Sequence, residues 1–385
     1  MKDLSPGVDA LDQGGPPLSP EPDPNRWKAL GIIAVAQLMI VLDATVVNIA
    51  LPSAQKELGI TDANRQWVVT AYTLAFGGLL LLGGRIADYF GRKRTFILGL
   101  LGFAGASALG GLTPNQELLF ASRALQGGFG ALMAPAALAL VTVMFTDAKE
   151  RARAFGVFGA ISGGGAAIGL ILGGVLTEYA DWRWTLGINV PISILAAGAA
   201  YLQVHESKAH GDTRYDVPGA ILATLGLVSL VYGFTEAARQ KAPGQVVGWA
   251  AGSTLFFLTA AVVLLAAFLL WETRAANPML PLRILLDRNR GGSYLVFLLV
   301  GAGMFSMFLF LTFYLQVVLG YSPLRSGFAF LPFSIGIIAT AGVVAQLLPR
   351  IGPKPLMVAG LSLATLAMLY LTQITPTTAY ATHVL

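Results

Sequence analysis

The chain has 385 residues, 55% of them hydrophobic and 12% charged, with a formal net charge of +5 and a mean hydropathy of +0.69. Soluble domains carry about 25% charged residues, so this balance belongs to a chain surrounded by lipid. Cysteine is absent, which excludes disulfides and thiolate metal sites.

The three histidines (His205, His210 and His383) are scattered, and neither H-E-x-x-H nor G-x-x-x-x-G-K-[ST] occurs. No enzyme, metal or nucleotide chemistry is expected, and no cofactor; active transport would draw on an ion gradient. The modest positive charge sits in loops, which points to membrane orientation and not to nucleic-acid binding.

Residues 1–26 are rich in Pro, Gly and acidic side chains and read as a disordered tail. A basic start followed by a short apolar core is missing, so no cleaved signal peptide is expected. Apolar runs long enough to cross a bilayer, roughly 20 residues each, follow at about 28–51, 66–84, 95–112, 117–141, 154–177, 184–202, 217–234, 248–271, 292–318, 326–347 and 355–371. These make eleven expected spans. With the N-terminus inside, the tail and the inner loops hold 18 of the 25 Lys and Arg residues. Basic loops stay cytoplasmic, so the N-terminus is expected there.

Inside the first span, Leu42-Asp43-Ala44-Thr45-Val46-Val47-Asn48 buries a carboxylate roughly 13 Å from the outer end. A charge at that depth costs about 2.5–3.5 kcal/mol on insertion scales, so Asp43 needs a partner or a wet cavity. Met39 and Asn48 are candidate cavity-lining residues beside it. Asp43 reads either as a proton-exchanging group or as a permanently paired structural one.

Between spans two and three lies Gly83-Gly84-Arg85-Ile86-Ala87-Asp88-Tyr89-Phe90-Gly91-Arg92-Lys93-Arg94, four cations around one carboxylate. Asp88 precedes Arg92 by four residues, a spacing at which the two can hold each other. In the fourth span, Arg123-Ala124-Leu125-Gln126-Gly127 places a guanidinium at about the depth of Asp43, with Gln126 on the same helical face. Arg123 and Asp43 are expected to face one cavity; anchoring of helix packing is the other reading for Arg123. Gly165, Gly169 and Gly173 form one stripe of the fifth span, fit for close helix approach and for a sliding seam.

An internal echo suggests two related halves. Gly91-Arg92-Lys93 with Gly99 is matched by Gly352-Pro353-Lys354 with Gly360 at the same spacing. Glu178 and Glu236, near outer span ends, are expected to be solvated. Phe305, Phe308, Tyr314 and Gln316 give the ninth span an aromatic, weakly polar surface suited either to a hydrophobic cargo or to packing. Pro332 suggests a kink in the tenth.

Gly84 to Arg94 resembles the G-x-L-A-D-x-x-G-R-[KR] signature of the major facilitator superfamily. Leu42 to Pro52, Arg123 to Gly130 and the fifth-span glycines look like that family's first-, fourth- and fifth-span motifs, and Trp182-Arg183-Trp184 with Ile188-Asn189-Val190-Pro191 also fits. Two extra central spans make the chain similar to the fourteen-span drug:proton antiporter branch, the EmrB/QacA-like subfamily. The resemblance covers nearly all of residues 27–371. One motif position departs: Gly169-Leu170 stands where the family usually has Gly-Pro.

The resemblance implies an all-α polytopic membrane protein of the plasma membrane, with two six-helix pseudo-repeats. They would comprise a first half over 27–204, a linker with two extra helices over 205–274, and a partial second half over 275–385 with three complete helices. The chain is therefore expected to be part of a longer one. The implied activity is proton-coupled efflux of hydrophobic or cationic small molecules by alternating access. Asp43, Arg123 and Gln126 would handle the proton. Gly84, Asp88, Gly91 and Arg92 would form a cytoplasmic latch, and Gly165, Gly169 and Gly173 an interdomain seam. A dedicated exporter of one metabolite, and a non-transporting receptor or scaffold on the same fold, are the other readings.

Overall fold

The computed structural model describes residues 24–208, 216–242, 245–276, 278–280, 282–375, 378 and 380. Most of the expected N-terminal tail, residues 1–23, lies outside the described residues. The chain is built from α1 (Arg26–Leu58), α2 (Asp62–Arg65), α3 (Trp67–Phe90), α4 (Arg92–Gly111), α5 (Gln116–Met144) and α6 (Ala148–Tyr179). After these come α7 (Trp184–Gly187), α8 (Asn189–Gln203), α9 (Val217–Ala238), a short β1–β2 ribbon (Gln240–Ala242, Gln245–Val246) and α10 (Gly252–Glu272). The remainder is α11 (Leu282–Leu285), α12 (Arg288–Phe313) running into a π-helical turn (Tyr314–Val318), α13 (Pro323–Ala329), α14 (Leu331–Ile351) and α15 (Pro353–Leu371). Ten helices among the described residues are long and apolar enough to cross a membrane. The 32-residue α6 occupies the place of the fifth expected span.

Local signals set the helix ends. Asn115 Oδ1 accepts the Leu118 N–H and starts α5; Asp147 Oδ1 accepts those of Lys149 and Glu150 and starts α6. Such caps satisfy backbone donors that the first turn leaves free. Gly91 at φ +121° separates α3 from α4, and its echo Gly352 at φ +77° separates α14 from α15. Both conformations disfavour a side chain. Two expected spans are interrupted. The sixth is divided at Ile188 into α7 and α8. The tenth does not kink at Pro332: a new helix starts at Leu331, so the proline sits in a first turn, where its missing N–H costs nothing.

Packing is dense at the N-terminal end of the chain. α5 lies against α3 and α4, α1 against α6 and α8, and α4 against α8. The main core comprises Ile33, Ala36, Met39, Phe96, Leu100, Phe103, Met133, Leu140 and their neighbours, all buried. The pair α9 and α10 packs together and rests on α3, with Thr224 Oγ1 donating to the Gly78 carbonyl at 2.7 Å. Helices α12, α14 and α15 expose large apolar side chains such as Phe297, Leu298, Ile335 and Leu363, an outward-facing apolar surface suited to lipid.

Candidate functional site

The only cluster of buried ionised side chains in the N-terminal bundle is centred on α1 and α5, among the described residues. Arg123 Nη1 donates to Asp43 Oδ2 at 2.7 Å and to Gln126 Oε1 at 2.7 Å. Gln126 Nε2 donates to Asp43 Oδ1 at 3.0 Å and to Ser107 Oγ at 2.7 Å. Asn189 Nδ2, from the first turn of α8, gives Asp43 Oδ1 a second donor at 2.9 Å. Arg123 Nε reaches back to the Val68 carbonyl of α3 at 3.0 Å. Its guanidinium carbon lies 4.5 Å from the centre of the Tyr72 ring, a cation–π contact. Asp43 thus has donors on both oxygens, which is what a buried charge requires.

Two glycines bring these groups within reach. A Cβ on Gly127 would sit 2.2 Å from the Tyr72 carbonyl oxygen, and one on Gly130 would press on the Phe76 ring. Helix α5 can therefore approach α3 closely enough for Arg123 to meet Val68 and Tyr72. The expected pair is direct and enclosed. The side chains of Arg123 and Asp43 are 1% and 0% exposed, enclosed by α1, α3, α4, α5 and α8. Arg123 borders a narrow void with Val47, Leu51, Val68 and Leu186. Met39, expected to line a cavity, is fully buried in the bundle core and accepts a hydrogen bond from Ser193 Oγ.

At the other motif, Arg92 Nη2 meets Asp88 Oδ1 at 2.9 Å across the Gly91 turn, and Gly84 lies 3.6 Å (as a built Cβ) from the Pro135 ring. The Asp88–Arg92 contact is internal to one stretch. The longer ties come from residues that the motif reading missed. Glu206 accepts the backbone N–H groups of Lys93 and Arg94 at 3.1 and 3.2 Å, capping α4. Arg85 donates to the Pro278 carbonyl, 193 residues away. A lone acid 113 residues downstream carries no local signal that it will cap a helix.

The glycine stripe of α6 is corrected by the structure. Built Cβ atoms on Gly165, Gly169 and Gly173 would meet Leu38, Thr45 and Val46 of α1, so the stripe closes within the N-terminal bundle and is not an interdomain seam. Leu170, one position from the stripe and so turned about 100° around the helix, faces the later helices instead. A Cβ on Gly327 of α13 would lie 2.7 Å from its carbonyl oxygen. The Leu170 side chain is buried with Ile49, Leu315 and Phe330, and Phe308 packs on this cluster through the Phe330 and Phe333 rings. Glu178 Oε2 accepts the Leu324 N–H at 3.3 Å at the same end.

The remaining candidates separate. Phe305 is 43% exposed, whereas the Tyr314 hydroxyl donates to backbone carbonyls of the segment after α15. Asn48 Nδ2 bonds back to the Ala44 carbonyl, leaving Asn48 Oδ1 buried without a partner; Gln316 Nε2 is likewise buried and unpartnered. Glu236, expected in solvent, is buried and ion-paired to Arg239 at 2.8 Å, with Ser253 Oγ donating to it at 2.9 Å.

A bundle of apolar spans around a buried Asp–Arg pair, joined to further spans through an apolar contact, defines a multi-pass membrane protein of the transporter type. The model of the Major Facilitator Superfamily matches residues 33–385, and the chain belongs to that family. Puromycin resistance protein pur8 of Streptomyces alboniger is 51% identical over 367 residues, covering 94% of this chain and 71% of that one. The "uncharacterized MFS-type transporter EfpA" of Mycobacterium tuberculosis is 39% identical over 349 residues, covering 90% and 64%. Cephamycin export protein CmcT of Amycolatopsis lactamdurans is 37% identical over 356 residues, covering 91% and 72%. The chain therefore spans about two thirds of the length of these relatives. A crystal structure of the peptide transporter POT in complex with sulfate shares the fold, with a TM-score of 0.59 at 17% identity over 90% of this chain and 74% of that one.

Proposed function

We propose that this chain forms the larger part of a proton-coupled exporter of hydrophobic or cationic small molecules, of the fourteen-span drug:proton antiporter type. It would work in the plasma membrane with its N-terminus cytoplasmic. The observation that carries the reading is the enclosed Asp43–Arg123 pair, held by Gln126 and Asn189. A proton on Asp43 would cancel its charge and leave the Arg123 guanidinium buried without its counter-ion. Removing one partner of such a pair costs about 3–5 kcal/mol. That is enough to tip a two-state molecule. Arg123 would then lean on Val68, Gln126 and Tyr72, shifting α5 against α1 and α8.

The cluster of Ile49, Leu170, Leu315 and Phe330 supports alternating access as the larger motion. With the N-terminus inside, this apolar contact closes the outer end, and cargo would enter from the cytoplasm or inner leaflet. Relatives named for resistance to, or export of, antibiotics support small organic molecules as cargo. Several of those names carry a single compound, so a dedicated exporter of one metabolite is the second reading.

The test is efflux from cells expressing the full-length protein, with and without an uncoupler, over a panel of unrelated compounds. Uncoupler-sensitive efflux that Asp43→Asn abolishes is expected. Efflux of one compound alone selects the dedicated exporter. Efflux indifferent to the uncoupler, or undiminished in Asp43→Asn, overturns the coupling.

A further inference from the structure

Three side chains hold Asp43, and they are not equivalent. Arg123 can only donate. Gln126 is committed at both ends of its amide: Oε1 accepts from Arg123 Nη1 at 2.7 Å, while Nε2 donates to Ser107 Oγ at 2.7 Å and to Asp43 Oδ1 at 3.0 Å. Turning that amide over would set its N–H groups against the guanidinium and break the Ser107 bond. Asn189, 1% exposed, makes a single side-chain hydrogen bond among the described residues, from Nδ2 to Asp43 Oδ1 at 2.9 Å. Its amide is free to turn without breaking another bond, about a terminal torsion that is broad and roughly two-fold. The division of the sixth span puts it there. Pro191 has no N–H for the Gly187 carbonyl, the helix is interrupted at Ile188, and Asn189 opens α8. One turn further on, Ser193 Oγ meets Met39 Sδ of α1 at 2.9 Å.

An ionised Asp43 accepts hydrogen bonds, whereas a protonated one carries an O–H that needs an acceptor. A buried donor left without one is costly. We propose that Asn189 is the positioning residue that lets Asp43 take and release its proton: its amide donates to the carboxylate and, turned over, accepts from the carboxylic acid. Arg123 then loses its counter-ion while Gln126 and Ser107 stay in place, so the proton acts on the Arg123 contacts with Val68 and Tyr72. This role rests on the proton-coupled reading of Asp43.

The groups that face Asp43 leave this task to Asn189. Among the described residues, the charged or titratable ones are Arg123 from α5 and, stacked on it, Tyr72 from α3. From α4 comes Ser107, and from α8 Asn189 and Ser193, all neutral. Helix α6 meets α1 here through Gly169, whose built Cβ would touch Thr45 and Leu42. Thr185 of α7 donates to the Trp182 carbonyl. The π-helical turn and the end of α13 reach α1 at Ile49 through the apolar Leu315 and Phe330.

The experiment titrates the full-length protein in lipid by infrared spectroscopy, from about pH 4 to about pH 10, with protons as the only ligand. The carboxylic-acid band of Asp43 is the one that Asp43→Asn removes. Asn189→Leu keeps the volume but offers neither donor nor acceptor. The carboxylate then loses a charge-assisted bond and the acid only an ordinary one. The midpoint for loss of the band is expected to rise by about one pH unit, a tenfold tighter hold on the proton. The band should also move to higher frequency, because its O–H has lost its partner. Ser193→Ala removes a buried contact of the same helix away from Asp43 and should change neither. An Asn189→Leu titration that matches the wild type overturns the role of Asn189 and leaves Asp43 protonatable. An equal displacement in Ser193→Ala overturns it as a packing effect. With isotope-labelled asparagine, a wild-type side-chain amide band that stays fixed through the titration overturns it without any variant having to fold. If no band disappears in Asp43→Asn, the proton-coupled reading falls, and this role with it.

Discussion

Arg123 and Asp43 lie 80 residues apart in the chain and 2.7 Å apart in space, with neither side chain exposed by more than 1%. Their pairing joins α5 to α1, and Gln126, Ser107 and Asn189 extend it to α4 and α8. Four helices of the N-terminal bundle are thus tied through one carboxylate.

Asp43→Asn is expected to lower stability by about 3–5 kcal/mol, because it leaves a buried guanidinium uncompensated. Asp43→Asn/Arg123→Gln removes both charges and should recover a large part of that loss. Thermal unfolding of the wild type, both single variants and the double variant gives the coupling energy. Additive losses would show that the pair does not act as a unit.

Gly127→Ala is expected to separate α3 from α5. Its Cβ would stand 2.2 Å from the Tyr72 carbonyl oxygen, a backbone atom with no rotamer to yield. The strain should cost about 1–3 kcal/mol and lengthen the Arg123–Val68 contact. Gly128→Ala is the control, since its Cβ would meet only a Leu79 methyl at an ordinary 3.6 Å. Equal melting temperatures for the two variants would refute the close-approach argument.

Gly327→Ala should loosen the contact between α6 and α13, where its Cβ would reach the Leu170 carbonyl at 2.7 Å. The expected readout is faster thiol labelling of a Leu315→Cys reporter, by about tenfold or more, as the cluster with Ile49 and Phe330 opens. An unchanged labelling rate would show that the helices give way elsewhere.

Glu206→Ala removes the acceptor for the Lys93 and Arg94 N–H groups. A lost cap of this kind costs about 1 kcal/mol. Hydrogen exchange of the first turn of α4 should accelerate, and exchange in α5 should not. Acceleration spread evenly over both helices would indicate a global effect instead.

Hydropathy and charge placement along the chain determined that this is a helical membrane protein and where most of its spans run. Those properties are summed over about 20 residues, so neighbours in sequence suffice to reveal them. Asp43 and Arg123 were also legible, because an ionised group inside an apolar run is costly enough to demand a partner. What surrounds them was not. Ser107 looks like an ordinary polar residue until α4 brings it to Gln126, and Asn189, though part of a motif, shows its contact with Asp43 only once α8 is in place. The stripe of Gly165, Gly169 and Gly173 announced close packing, yet only the tertiary structure chose α1 as the helix it receives, leaving Leu170 to face Gly327. Glu206 gave no sign of its contacts, since they depend on a chain segment more than a hundred residues away. Periodicity specifies which face of a helix is apolar or small. Which neighbour fills that face is settled by the packing of the whole bundle, where side-chain volumes and buried hydrogen bonds must all be satisfied together.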